Sequence, residues 1–331
     1  MKWGLIGASN IAAAHMIAAI RSQGGAIASV LSASAERAES YAAAHGIPQG
    51  VTQLDDLLSG DIDAVYISTT NEKHFDQAMA AIAAGKHVLC EKPLAMTVAD
   101  AVTMVRAADA AGLTFATNHH LRNAGSHLAI RELIEAGALG RILSALVFHA
   151  VYLPEHLQGW RIDNPGAGGG VIPDIVVHDA DTVRFHLRED PVEVVAIDTA
   201  SGLGKGVEDS VMSVWSMPSG AMVQTHESFT HRFAGNGIEF HGTDGSIRAR
   251  NVMSQRPTGE VTLTDADGAR AISFDSHNLY ERALAMFHDA VQGKGRPSAD
   301  GVDGVKSLAI AKAVAEAARS GRRIAVDYGG I

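Results

Sequence analysis

The chain has 331 residues, 47% hydrophobic and 19% charged, which argues against extensive disorder and exceeds what one hydrophobic core usually organises, so two domains are expected. A formal net charge of -10 excludes non-specific attraction to nucleic acid or anionic membrane, since both need a basic surface. The single cysteine, Cys90, cannot form an internal disulfide; in an apolar run it reads as inert core in a reducing, cytoplasmic setting.

The opening residues superficially resemble a signal peptide, but Asn10 and His15 interrupt the apolar stretch, so a strand and a turn are expected. No apolar run reaches the ~18 residues needed to cross a bilayer. Short apolar runs at 3–6, 26–31, 64–68, 87–90 and 114–117 alternate with Ala-rich helical stretches. Strand, helix, strand repeated in this way predicts a doubly wound parallel sheet over residues 1–120, with its ligand crevice at the carboxyl ends of the strands.

Beyond residue 120 the pattern changes. A helix at 126–136 and a strand at 142–153 precede a Gly-rich loop at 166–170, which leads into a helix whose first turn suits Pro173. Strands then predominate at 192–199, 210–217, 221–227, 237–241, 260–264 and 269–274, and helices at 278–292 and 301–319 follow. Residues 121–331 therefore read as a second, α/β domain with a largely antiparallel sheet.

Gly7-Ala8-Ser9-Asn10-Ile11-Ala12 follows a strand and opens a helix, the context that a dinucleotide-binding loop requires. Gly7 permits the tight turn, and Ala12 lets helix pack on strand while backbone N–H groups meet the pyrophosphate. Ser9 replaces the usual second glycine and offers a hydroxyl to the phosphates. The next strand ends in Ser32 with Arg37 nearby, and no carboxylate stands there to hold a ribose 2′-hydroxyl or repel a phosphate. NADPH is thus the expected cofactor, although Arg37 also fits a plain solvated helix position.

Reduction of a carbonyl leaves an alkoxide, so the site needs a proton donor and positive charge near the oxygen. Lys92, in Glu91-Lys92-Pro93 at the crevice edge, can polarise the carbonyl; position alone fits a surface lysine equally well. Asp174 and His178 stand four apart on an expected helix, hence on one face, where the carboxylate would favour a protonated imidazole. A plain local ion pair is the commoner meaning of that spacing, and Asp181 is a less certain neighbour. His119, His120, His149, His156 and His241 lack zinc-type spacing, and no metal is expected.

These residues resemble the glucose-fructose oxidoreductase/inositol dehydrogenase/MocA group over nearly the whole chain, from Gly7 through Glu91-Lys92-Pro93 to Asp174 and His178. The resemblance implies a Rossmann domain, then an α/β domain with a large open, mostly antiparallel sheet, and Lys92, Asp174 and His178 beside the nicotinamide. More specific are Asn118-His119-His120-Leu121-Arg122-Asn123 and the stretch 149–161, which resemble a sugar-reductase branch that reduces the keto group of an anhydro-ketose with NADPH. It implies cofactor contacts from Gly7, Ser9, Asn10, Ile11, Ala12, Ser32, Arg37, Glu91 and Lys92. Substrate contacts are implied for Lys92, His149, Trp160, Arg161, Asp174 and His178. An NAD(P)-dependent dehydrogenase of an inositol or aldose is the alternative, and a non-catalytic sugar or nucleotide sensor is a third reading. A monomer and a homodimer are both consistent with the sequence.

Overall fold

The computed structural model describes residues 1–331 in two compact units. The first comprises Met1–His120 with Tyr280–Val305 and Ile331, the second Leu121–Leu279 with Lys306–Gly330.

In the first unit six strands form one parallel sheet: β1 (Lys2–Ile6), β2 (Ala26–Leu31), β3 (Gln49–Val51), β4 (Ala64–Ile67), β5 (His87–Cys90) and β6 (Phe115–Thr117). Between them run α1 (Ile17–Ser22), α2 (Ala35–His45), α3 (Leu54–Leu58), α4 (His74–Ala83) and α5 (Val98–Ala110). Every residue of β4 is buried, as expected of a strand covered on both faces. Ser34 caps α2 by accepting from the Arg37 N–H, and Thr97 caps α5 by accepting from the Asp100 N–H. Trp3 of β1 is wholly buried, 5.3 Å from the ring of Phe287, so the returning segment Tyr280–Val305 completes this core. The strand order β3-β2-β1-β4-β5-β6 reverses direction between β1 and β4, which places the ligand crevice at the carboxyl ends of those two strands.

The second unit is a nine-stranded sheet of order β14-β13-β12-β11-β7-β10-β9-β8-β15. Its strands are β7 (Ile142–Ala150), β8 (Glu193–Thr199), β9 (Ser210–Ser216), β10 (Met222–Ser228), β11 (Asn236–Gly242), β12 (Gly245–Arg250), β13 (Glu260–Asp265), β14 (Gly268–Ile272) and β15 (Ile324–Ala325). All neighbours are antiparallel except β7 and β10. The unit's helices are α6 (Gly125–Glu135), α7 (Trp160–Asp163) and α8 (Val177–Leu187); α9 (Leu279–Val291) belongs to the first unit from Tyr280 onward, and α10 (Gly301–Ser320) starts in the first unit and continues in the second. Along β7, Ala145 and Val147 are buried while Leu146 and Phe148 are exposed, the alternation of a sheet with one covered face. Arg122 and Asp181 form a buried two-pronged ion pair at 2.7 and 2.6 Å, which ties α8 to the segment before α6.

Sequence patterning did not anticipate β3, β12 or β15. β3 and β15 are three and two residues long, too short to show a period. β12 hides its alternation, with Ile247 and Ala249 inward, between exposed Arg248 and Arg250.

Candidate functional site

At the switch point of the first unit, Gly7 has φ +115, a conformation that side chains disfavour. A Cβ there would lie 3.1 Å from the carbonyl carbon and oxygen of Ser68 and from the Thr69 nitrogen. Glycine lets the two main chains that follow β1 and β4 pass this closely, and Ala12 behind it is fully buried. Ser9 and Ser68, which follow β1 and β4, join hydroxyls across the crevice at 2.7 Å, and Ser9 Oγ also accepts from the Ala12 N–H at 3.2 Å. A π-helical turn over Ala12–Met16 then leads into α1, a distortion frequent at functional sites.

Arg37 reaches back from α2 and donates to the Ala8 carbonyl at 2.7 Å, so it is tied to the cofactor loop rather than simply solvated. The Tyr41 hydroxyl donates to the Ser9 carbonyl at 2.9 Å, and burial pushes its pKa up to about 12, which keeps it a neutral donor. Ser32 is buried at the end of β2, while Asn10 is exposed and Ile11 half-buried. Tyr41 and Ser68 were not singled out from the sequence, because only folding brings them to the loop.

Past β5, the Lys92–Pro93 peptide is cis. His74 Nδ1 lies 2.8 Å from the Pro93 carbonyl and its Nε2 3.2 Å from the Thr69 carbonyl, so one buried imidazole, donating to one of the two, sits between the loops that follow β4 and β5. Glu91 accepts from Tyr66 Oη at 2.5 Å and Asn118 Nδ2 at 2.6 Å. Burial raises the Glu91 carboxyl above the usual range against these two donors. Its side chain is thus committed inward, and its backbone N–H donates to the Ile67 carbonyl at 2.9 Å. His120 stacks on Tyr280, at 5.7 Å between ring centroids, as part of the same unit.

The remaining predicted residues belong to the second unit. Asp174 lies on a π-helical turn, Ile172–Val176, with Pro173 in its opening positions, and His178 stands at the start of α8. Asp174 pairs with Arg161 at 3.4 Å, and the Arg161 guanidinium lies 4.7 Å from the centre of the Trp160 ring. Three residues picked from the sequence are thereby assembled: an aromatic plate, a cation across it and a carboxylate beside the cation. His149 on β7 instead bonds Asp179 Oδ1 at 2.8 Å. Asp179 and Glu227 are wholly buried carboxyls that sequence reading missed. The available signal was Glu227 at an inward position of β10, in step with Val223 and Thr225. Nowhere do three or more His, Cys, Asp or Glu side chains gather to hold a metal ion, and Cys90 is buried.

The first unit thus has the parts of a dinucleotide-binding domain, with a bare glycine turn and a helix start at a topological switch point. The chain belongs to the GFO/IDH/MocA family: residues 1–119 match its oxidoreductase domain with an NAD-binding Rossmann fold, and residues 127–248 match its C-terminal domain. It is 56% identical over 330 residues to the 1,5-anhydro-D-fructose reductase of Ensifer adhaerens, covering 99% of both chains. It is 28% identical to D-xylose 1-dehydrogenase (NADP(+)) 2 of Haloferax volcanii, covering 99% of this chain and 100% of the other. Among solved structures, aldose-aldose oxidoreductase from Caulobacter crescentus matches the fold with a TM-score of 0.90 at 24% identity, covering 98% of this chain and 99% of that one. The chain is accordingly an NAD(P)-binding oxidoreductase with a carbohydrate-related activity. No helix is long and apolar enough to cross a membrane.

Proposed function

We propose that this protein is a cytoplasmic reductase that converts 1,5-anhydro-D-fructose to 1,5-anhydro-D-mannitol with NADPH. The observation that carries the reading is 56% identity along both full lengths to a reductase of that substrate. Preference for NADPH is supported by Ser32, where a carboxylate would oppose the extra phosphate, and by Arg37, held at the loop by Ala8.

When bound, the dinucleotide supplies the hydride. Its pyrophosphate would be held at the turn that Gly7 and Ala12 shape, by the Ser9 hydroxyl and the backbone N–H groups of Asn10 and Ile11, since the Gly7 N–H is spent on the Leu31 carbonyl and that of Ala12 on Ser9 Oγ. The Glu91 carbonyl and Lys92 would serve the nicotinamide end of the dinucleotide. Lys92 donates to the keto oxygen and stabilises the negative charge that develops there. His178 delivers the proton that turns the alkoxide into a hydroxyl, and it takes a proton back in the oxidative direction. Asp174 accepts from substrate hydroxyls and holds Arg161 in place. Arg161 and His149 bond the remaining hydroxyls, while Trp160 lies against the apolar face of the sugar ring.

Purified protein, assayed by NADPH absorbance against 1,5-anhydro-D-fructose, inositols, D-xylose and other aldoses, tests this reading. The expected result is a kcat/KM for 1,5-anhydro-D-fructose well above every other compound, and higher with NADPH than with NADH. Turnover of an inositol or xylose in its place would keep the family and overturn the substrate.

A further inference from the structure

Behind His149 lies a row of buried polar groups that the reaction does not consume. β7 and β10 run parallel with His149 opposite Glu227, and α8, which carries Asp179, packs against β7. His149 Nδ1 meets Asp179 Oδ1 at 2.8 Å. The carboxyls of Asp179 and Glu227 are hydrogen-bonding neighbours, yet Asp179 Oδ2 and Glu227 Oε1 are buried with no donor from any other group. Two ionised carboxylates side by side without water would repel and leave both oxygens unsatisfied, whereas one proton between them satisfies both.

The surrounding donors decide where that proton resides. Trp215 Nε1–H can only donate, and it donates to Ser213 Oγ at 2.7 Å. Ser213 Oγ also meets Thr225 Oγ1 at 2.7 Å, and it is the donor there because Thr225 spends its own hydrogen on Glu227. Thr225 in turn donates to Glu227 Oε2 at 3.1 Å. Asp179 Oδ1 meets the ring of His149 at the edge of the site, while Glu227 meets the Thr225 hydroxyl and its own backbone N–H and is wholly buried. Burial, and then the charge of Asp179, push the Glu227 carboxyl well above the carboxylate range. Glu227 is the neutral acid; its O–H donates to Asp179 Oδ2, and Asp179 Oδ1 accepts from His149 Nδ1–H.

We propose that Trp215, Ser213, Thr225, Glu227 and Asp179 form a one-way hydrogen-bond chain that fixes His149 as its Nδ1–H tautomer, making Nε2 the acceptor for a sugar hydroxyl. Asp179 and Glu227 are then positioning residues, which set substrate recognition without touching substrate. The inference rests on the reading of His149 as a sugar contact, and the two fail separately.

The test begins on ligand-free protein. Nitrogen-15 NMR should find neutral His149 protonated at Nδ1, and infrared spectra should contain a buried protonated-carboxyl band that Glu227→Gln removes. An Nε2–H tautomer, or a band untouched by Glu227→Gln, overturns the chain. In kinetics, Glu227→Gln replaces the acid O–H by an amide N–H and should leave the KM for 1,5-anhydro-D-fructose within about twofold of the parent. Glu227→Met keeps the bulk but removes the donor, and should raise that KM roughly tenfold with the NADPH KM unchanged. If His149→Ala raises the sugar KM and Glu227→Met does not, the chain is overturned while His149 stands as a contact. If neither changes it, His149 is not a sugar contact and the proposal falls with that reading.

Discussion

The loop after β1 holds its shape through the main chain, whereas the polar floor behind His149 holds its shape through ionisable side chains out of reach of water. At the loop, the positive φ of Gly7, a backbone 3.1 Å away and the buried Ala12 leave little freedom, and side chains such as Ser9 and Arg37 decorate a surface already formed. In the second unit, Asp179, Glu227, the Arg122–Asp181 pair and a buried pair of histidines each depend on a partner far away in sequence. Substitutions at the loop surface should therefore retune cofactor choice at small structural cost, while substitutions of buried charge should threaten the unit itself.

The largest effect that sharpens this contrast is chemical. His178→Asn should lower kcat by about 10²- to 10⁴-fold while NADPH binding, read by fluorescence, stays intact, because the proton donor is gone and the loop is untouched. Unchanged turnover would remove His178 from the reaction. Next comes the buried pair: Arg122→Met removes the two-pronged partner of the buried Asp181 carboxylate, and should destabilise the protein by about 3–5 kcal/mol in denaturant unfolding. A cost near zero would deny that the second unit depends on this charge.

Acid should separate the two units as well. His127 Nε2–H donates to the Val252 carbonyl at 3.2 Å, and His186 Nε2–H donates to His127 Nδ1 at 3.0 Å, so both rings are neutral. Burial lowers the His127 pKa from 6.5 to about 4 and takes His186 well below its ordinary value. Because the unfolded chain takes up these protons first, their contribution is fully present above pH 6.5 and is lost as pH falls toward 4, a cost on the order of 3 kcal/mol for His127 alone. Hydrogen exchange at falling pH should expose α6 and α8 before β1 and β4; simultaneous loss would break the contrast. Smallest is the effect at the loop surface. Ser32→Asp with Arg37→Ala should shift the NADPH-to-NADH preference roughly ten- to hundredfold toward NADH with little change in Tm, and a retained preference would refute that assignment.

The same contrast explains what could be read in advance. Main-chain demands leave local traces, so the strands at 26–31 and 87–90 and the loop from Gly7 to Ala12 were legible from run length, spacing and residue size. The helix that carries Asp174 and His178 was legible because helical spacing is local, although its opening π-helical turn and the Arg161 partner of Asp174 were not. The chain from Trp215 to His149 spans β9, β10, α8 and β7, and no window of sequence contains it. The return of Tyr280–Val305 to the first unit was hidden for the same reason, since an amphipathic helix does not say which core it covers.

The central claim, that this chain reduces the keto group of 1,5-anhydro-D-fructose with hydride from NADPH, is tested most directly by tracing the hydrogen. NADPH carrying deuterium at the transferable position is incubated with the sugar and the enzyme, and the product is examined by NMR. The expected product is 1,5-anhydro-D-mannitol with one deuterium on the former keto carbon. An unlabelled product, deuterium at another carbon or recovery of unchanged ketose would contradict it.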